Sequence, residues 1–402
     1  RDINLSFNYF GNFYRIIVFI LLMKFPIDRF QSIRTPFYYY DLDLLSRTVA
    51  EAASQAGDSR YHIHYALKAN ANPLVLAPIR EAGWGVDCVS GNEVEAAVVN
   101  GFSPDSIVFA GVGKTDDEIN YALGVGIGCF NVESLPELEV ISELASVRGV
   151  TAKVALRVNP NIDAHTHHYI TTGLNENKFG IDLRMLDDVV DKALALPGIK
   201  LVGLHFHIGS QLTDMEPYRM LCDKINELQA HFAEKGIAFS SINVGGGLGI
   251  NYENPDADPI ADFKSYFEIF RENLKLGENQ QLHFELGRSI VAQCGSLISR
   301  VIYVKKGVEK QFAIIDAGMS DLLRPALYGA HHKIENISSP DAKEEVYDVV
   351  GPICESSDVF GKDEKLPALH RGSLVALRSA GAYGETMASR YNLRALPSSI
   401  AF

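Results

Sequence analysis

Between residues 61 and 286 short apolar runs alternate with amphipathic stretches in one repeating order: an apolar strand, a polar or glycine-rich end, then apolar positions at helical spacing. HIHYALKAN, WGVDCVS, SIVFAGVG, GCFNVES, KVALRVNP, LVGLHFHIGS, INVGGGLGI and LHFELGR are the strand candidates. Strands separated by helices run parallel, and roughly eight of them suffice to close a (β/α)8 barrel of the TIM type. After residue 295 the pattern changes to β-rich runs, LISRVIYVKK, QFAIIDAG, EEVYDVVGP and SLVALRS, with no long helix between them. That predicts a second, mostly antiparallel β domain, to which the aromatic run 35–40 is also assigned. The expected division is a barrel over residues 43–284 and a β domain built from 23–42 and 285–402, with 1–22 outside the fold.

Period-two alternation says which side chains face inward. His62, His64, Ala66 and Lys68 share one face of the first barrel strand; Gly203, His205, His207 and Gly209 share one face of the sixth. His283, Glu285 and Gly287 share one face of the last. The apolar faces opposite them pack on helices, so the polar faces point into the barrel and gather ionisable groups at the carboxyl ends of the strands, where barrel enzymes keep their sites.

Composition narrows the partners. A hydrophobic fraction of 47% with 22% charged residues is that of a globular chain with a sizeable core. The formal charge of -13, with no dense run of Lys and Arg, opposes nucleic acid and anionic membranes, which leaves a small molecule. Five scattered cysteines without CxxC spacing suggest neither disulfides nor zinc and fit a reducing cytoplasm. The apolar run over residues 16–23 is too short for a span, and the expected protein is cytoplasmic and free of the membrane.

Lys68 ends a strand inside YALKAN, where an apolar setting would lower its proton affinity and ready it for a Schiff base; a plain strand-end lysine is the alternative. Gly245, Gly246 and Gly247 allow backbone N–H groups to approach an anion, or simply make a tight turn. Gly287 and Arg288 offer a second anion-binding element one strand later. Glu285 could hold a pyridine nitrogen protonated, or pair with Arg288 or a histidine. His207 could stack on a cofactor ring while Ser210 reaches a phosphate; Asp87 could support the site, whereas Ser90 reads better as a helix cap. Further on, Arg324 and Tyr328 lie four apart, Cys354 and Glu355 are adjacent, and Tyr383 sits in AGAYG. Cys354 could donate a proton, Glu355 recognise an amine and Arg324 a carboxylate. The HTHH run at 165–168 lacks the spacing of a catalytic metal site, and no metal is expected.

In this order the motifs resemble the diaminopimelate decarboxylase family, fold-type III pyridoxal-phosphate enzymes with an alanine-racemase-like barrel; the likeness runs over residues 33–397. The resemblance implies pyridoxal 5'-phosphate carried on Lys68, its phosphate at Gly245 to Gly247, and an EPGR motif appearing as Glu285, Leu286, Gly287 and Arg288. It implies substrate contacts at Arg288, Arg324, Tyr328 and Glu355, a contact to cofactor and substrate at Tyr383, and Cys354 as proton donor. It further implies a homodimer in which Cys354 and Glu355 complete the partner's site, and decarboxylation of meso-2,6-diaminopimelate to L-lysine. Leu286 replaces the family's usual proline, Ser320 stands where Asn is common, and the chain ends at Phe402, earlier than the resemblance leads one to expect. Decarboxylases of ornithine, arginine or carboxynorspermidine are the nearest alternatives. The pairing of Arg324 with Tyr328 argues against the ornithine enzymes, and Glu285 against a racemase, which places an arginine at the ring nitrogen.

Overall fold

The computed structural model describes residues 25–162, 178–339 and 342–402. The extension over residues 1–22 and the histidine run 165–168 lie outside those described. A first strand, β1 (Phe37–Tyr40), precedes the barrel and pairs with a sheet formed much later in the chain. The barrel strands follow: β2 (Tyr61–Ala66), β3 (Gly85–Cys88), β4 (Ile107–Phe109), β5 (Cys129–Val132), β6 (Ala152–Asn159), a two-residue β7 (Ile181–Asp182), β8 (Ile199–His205), β9 (Ser241–Asn243) and β10 (Gln281–Leu286). All pair in parallel, in the order β5-β4-β3-β2-β10-β9-β8-β6, and β6 closes the ring on β5. Every strand candidate of the barrel is present, and only the short β7 was unforeseen.

The alternation holds where it matters. Leu282, Phe284 and Leu286 are fully buried on the outer face of β10. They meet the helix Phe263–Asn273, whose Phe263, Tyr266, Phe267 and Phe270 recur at i, i+3, i+4 and i+7 and so form one stripe. Phe284 lies edge-on to Phe267 at 4.9 Å between ring centroids and to Phe270 at 5.3 Å, arrangements that satisfy the aromatic quadrupoles as well as burying area. The helix Leu42–Ala56 opens on Asp41, whose carboxylate accepts from Leu44 N at 2.8 Å, and stops at Gly57 in the left-handed region that glycine alone takes freely. Ser90 caps the helix Gly91–Val99, as the sequence suggested.

The second sheet contains β11 (Gly295–Lys306), β12 (Gln311–Ile315), β13 (Ile334–Asn336), β14 (Glu344–Val350), β15 (Val359–Pro367), β16 (Leu374–Leu377) and β17 (Ser398–Ala401). Its order is β13-β16-β11-β12-β14-β15, with β1 on β11 and β17 on β1. Only β1 with β17 and β12 with β14 pair in parallel, so the sheet is mostly antiparallel as expected. The expected runs missed β13, β15 and β17. β15 reads as a polar loop because it carries Lys362, Asp363, Glu364 and Lys365, the charges with which an edge strand avoids pairing with another chain. The last strand of the sheet, β17, is present and pairs with β1. No described helix is long and apolar enough to cross a membrane.

Candidate active site

The carboxyl ends of the barrel strands and the loops of the β sheet enclose a cavity of about 980 Å³. Lys68, His207, Ser210, Gly247, Glu285, Gly287, Arg288, Arg324, Tyr328 and Tyr383 all line it. Residues up to 315 positions apart in the chain therefore converge on one chamber. Of the remaining expected site residues, Asp87, Gly245 and Gly246 touch lining residues from behind, whereas Cys354 and Glu355 lie elsewhere.

Lys68 does not continue the strand. β2 stops at Ala66, and Lys68 sits on a single 3-10 turn, Leu67–Ala69. Tertiary hydrogen bonds force the bend. Asn70 donates to Tyr40 Oη and to the Gly381 carbonyl, both at 2.8 Å, Tyr65 Oη donates to the Asn70 carbonyl at 2.9 Å, and the Tyr383 N–H reaches the Ala69 carbonyl at 2.8 Å. The Lys68 Nζ lies 3.3 Å from Asp87 Oδ2. The expected loss of proton affinity is overturned: burial works in that direction, but Asp87, then Tyr383 and Glu285, outweigh it and hold the ammonium proton above the ordinary lysine range. Asp87 itself is raised, by burial and then by Glu285, and its Oδ1 is buried without a partner.

Glu285 is the most thoroughly held side chain of the cavity. Its Oε1 accepts from Asn131 Nδ2 at 2.9 Å and from Asn243 Nδ2 at 2.8 Å, and its Oε2 lies 3.1 Å from His205 Nε2. Burial pushes its carboxyl up, but His205, then Lys68 and His207, prevail and hold it well below the usual range, so it is an anion. The expected pairing with a histidine is thus present alongside the inward orientation. Asn131 and Asn243 escaped the sequence reading; both sit on inward positions of their strands, which was the only available signal. His207 is neutral, because burial, then Arg157 and Lys68, depress its imidazole. Arg157, also unforeseen, lines the cavity with Nη1 2.7 Å from Glu133 Oε1.

The glycine run does not present all its amides to the cavity, as a simple cradle would. Gly245 donates to Asn243 Oδ1 at 2.9 Å and Gly246 to His207 Nδ1 at 3.3 Å. Gly245 and Gly247 have φ of +70° and +106°, and a Cβ on Gly246 would stand 1.9 Å from the Glu285 carbonyl, so no side chain fits. Beside them Arg288 reaches Tyr252 Oη at 2.7 Å and Ser210 Oγ at 2.9 Å, while its Nε is buried and unpartnered.

Arg324 starts the short helix Arg324–Tyr328 and donates from Nη1 to His332 Nε2 at 2.8 Å. His332 in turn reaches the Arg378 carbonyl through Nδ1 at 2.8 Å, which makes Nδ1 the protonated nitrogen and Nε2 the acceptor. Burial, then Arg324, lowers the His332 imidazole to about 3, so it supports the guanidinium without neutralising it. Tyr252 lies beneath both cations, 4.9 Å from the Arg324 guanidinium carbon and 5.8 Å from that of Arg288. No carboxylate lies within ion-pair distance of either arginine among the described residues. Tyr252 and His332 sit in stretches without periodic pattern and could not be found from sequence.

Cys354 and Glu355 are exposed and line no part of this cavity. The loop that carries them is anchored by the buried Asp358, whose carboxylate accepts from Ile353 N at 2.7 Å and Met319 N at 2.6 Å. Glu355 accepts from Tyr391 Oη at 2.5 Å.

Comparison with known proteins adds an independent line. The family described as pyridoxal-dependent decarboxylase, pyridoxal binding domain, matches residues 42–292. The chain is 59% identical to the diaminopimelate decarboxylase of Bacteroides thetaiotaomicron, over 93% of its own length and 97% of that protein. The crystal structure of diaminopimelate decarboxylase from Helicobacter pylori complexed with L-lysine aligns at a TM-score of 0.88 and 41% identity, covering 93% of each chain. Lysine/ornithine decarboxylase from Vibrio vulnificus, complexed with cadaverine, aligns over 92% of this chain and 96% of its own at a TM-score of 0.80, but at 23% identity, a likeness of fold alone.

Proposed function

The chain belongs to the diaminopimelate decarboxylases within the pyridoxal-dependent decarboxylase family, and from that premise we propose that its cavity takes meso-2,6-diaminopimelate, releases carbon dioxide from the D-configured centre and leaves L-lysine. One observation carries the reading: the buried guanidinium of Arg324 faces the chamber with no counter-charge, beside Arg288, whose charge the phosphate would share. Leaving a buried charge unpaired costs on the order of 3–5 kcal/mol, so this wall favours a ligand with a carboxylate at its far end. Ornithine and arginine have none.

The residues present fit pyridoxal 5'-phosphate. Lys68 supplies the amine, Glu285 an ionised carboxylate for a ring nitrogen, and the buried, unpartnered Arg288 Nε beside glycines that admit no Cβ supplies an anion corner. When bound, the cofactor supplies an electron sink for the pair left behind as the carboxylate departs. Lys68 Nζ would carry it, with Asp87 3.3 Å away to hold the ammonium proton until the amine is needed. Glu285 would keep the ring nitrogen protonated, and the neutral His207 would be available to pack on the ring. Ser210, Gly247, Gly287 and Arg288 would hold the phosphate, with Gly245 and Gly246 shaping the turn behind Gly247 and Tyr383 beside them. Arg288, Arg324 and Tyr328 hold the distal carboxylate. As the Cα–carboxylate bond breaks, the Cys354 thiol gives its proton to Cα and recovers one from solvent, while Glu355 receives the distal amine.

Cys354 and Glu355 reach this chamber only from a second copy, so we read the active unit as a homodimer with shared sites, a cytoplasmic small-molecule enzyme without metal. The barrel over residues 43–284 then holds the cofactor, and 23–42 with 285–402 form the β domain. The test is purified protein with pyridoxal phosphate, offered diaminopimelate, ornithine and arginine, with products identified. Diaminopimelate alone should be turned over efficiently; faster turnover of either other substrate overturns the assignment. Mixing the inactive Lys68→Ala and Cys354→Ala chains should restore about a quarter of wild-type activity, since each mixed dimer has one intact site. No recovery refutes the sharing.

A further inference from the structure

Asn243, the last residue of β9, is buried and holds two groups at once. Its Nδ2 donates to Glu285 Oε1 at 2.8 Å, and its Oδ1 accepts the N–H of Gly245 at 2.9 Å. The amide has one orientation only: flipped, it would set oxygen against carboxylate and N–H against N–H. A third bond closes the circuit, because Glu285 N donates back to the Gly245 carbonyl at 2.7 Å. The glycine run lies so close to β10 that a Cβ at Gly246 would strike the Glu285 carbonyl. Asn131 and His205 complete the hold on the carboxylate: both lone pairs of Oε1 are taken by the two amides, and His205 takes one of Oε2. One lone pair of Oε2 remains for a donor in the chamber.

We infer that Asn243 is a positioning residue that fixes the spacing between the phosphate-holding glycines and the carboxylate at the ring nitrogen, while Asn131 and His205 fix the aim of that carboxylate alone. This rests on the reading that pyridoxal phosphate binds here. A rigid spacing matters because the two groups grip two fixed points of one small molecule, and preorganised partners lose no freedom when it arrives. A merely structural amide would lower stability without distinguishing ligands that carry the phosphate from those that do not.

The test compares pyridoxal phosphate with pyridoxal, which lacks the phosphate, binding to the full-length chain freed of cofactor, followed by absorbance. In the wild type the ratio of the two dissociation constants measures the phosphate grip. Asn243→Leu removes both bonds, and the loss of an amide to a charged partner is worth tenfold or more. Pyridoxal phosphate should weaken roughly a hundredfold and pyridoxal roughly tenfold, shrinking the ratio about tenfold. Asn131→Leu should weaken both ligands by the same factor and leave the ratio unchanged. Asn243→Asp keeps an oxygen for Gly245 and should hold the ratio within about threefold of wild type. Asn243→Ser, too short to reach either partner, decides the matter if the leucine variant does not fold. An unchanged ratio in Asn243→Leu or Asn243→Ser overturns the inference. Failure of the wild type to bind pyridoxal phosphate would instead overturn the parent reading.

Discussion

The two walls of the chamber treat charge in opposite ways. On the barrel wall Glu285 meets three donors and Lys68 meets Asp87, so each charge has a partner before any ligand arrives. On the wall shared with the β sheet, Arg288 and Arg324 are supported only by neutral groups, Tyr252, Ser210 and His332. A satisfied site keeps its geometry through every turnover and suits a resident group. An uncompensated one is completed by its ligand, gaining most from the ligand that brings the missing charge. On the proposed function, the difference separates the part of the chamber assigned to the chemistry from the part assigned to substrate selection.

The comparison breaks if the walls do not fail differently. Lys68→Ala should abolish turnover, by roughly a thousandfold or more, and borohydride should no longer fix the cofactor at that position. Arg324→Ala should cost roughly 10²–10³ in kcat/KM for diaminopimelate while cofactor affinity stays within a few-fold, checked by steady-state kinetics beside cofactor titration. Retained turnover would remove the selective role of that wall. His332→Leu removes the acceptor 2.8 Å from Arg324 Nη1; KM should rise about tenfold with kcat nearly unchanged, and a fall in kcat alone would place His332 with the chemistry instead.

A last effect, on stability rather than turnover, comes from the floor of the barrel, which carries neither pattern. His64 and His283 share a 2.8 Å hydrogen bond, and burial holds His64 down to about 4. A depressed folded value means that the unfolded chain binds the proton first. The contribution is complete above about pH 6.5 and disappears as pH falls through about 4, worth at most about 3 kcal/mol. The melting temperature should therefore fall over that window, and less steeply in His64→Gln; parallel curves would exclude His64 as the cause.

Much of this was legible beforehand for a simple reason. A strand with one face on helices and the other in a barrel writes its orientation as alternation, so His205, Glu285 and the strand order could be read directly. A lysine at a strand end reads equally well, but its 3-10 turn could not, because Gly381 and Tyr383 impose the bend from across the chain through Asn70 and Ala69. The same holds for its proton. Lysine beside apolar neighbours suggests a weakened hold, and only the placement of Asp87 at 3.3 Å reverses the sign.

Residue types in order therefore determined the barrel, the second sheet, the amine, the acid and the anion corner. Folding alone decided which partners each charge received: Asn131, Asn243 and His205 for Glu285, Tyr252 and His332 for the arginines, all but His332 more than thirty residues from the charge they meet. It also placed Cys354 and Glu355 outside the chamber of their own chain. Local periodicity encodes which way a side chain points, whereas what it meets there depends on contacts between distant segments, and electrostatics at a few ångströms is set by those contacts.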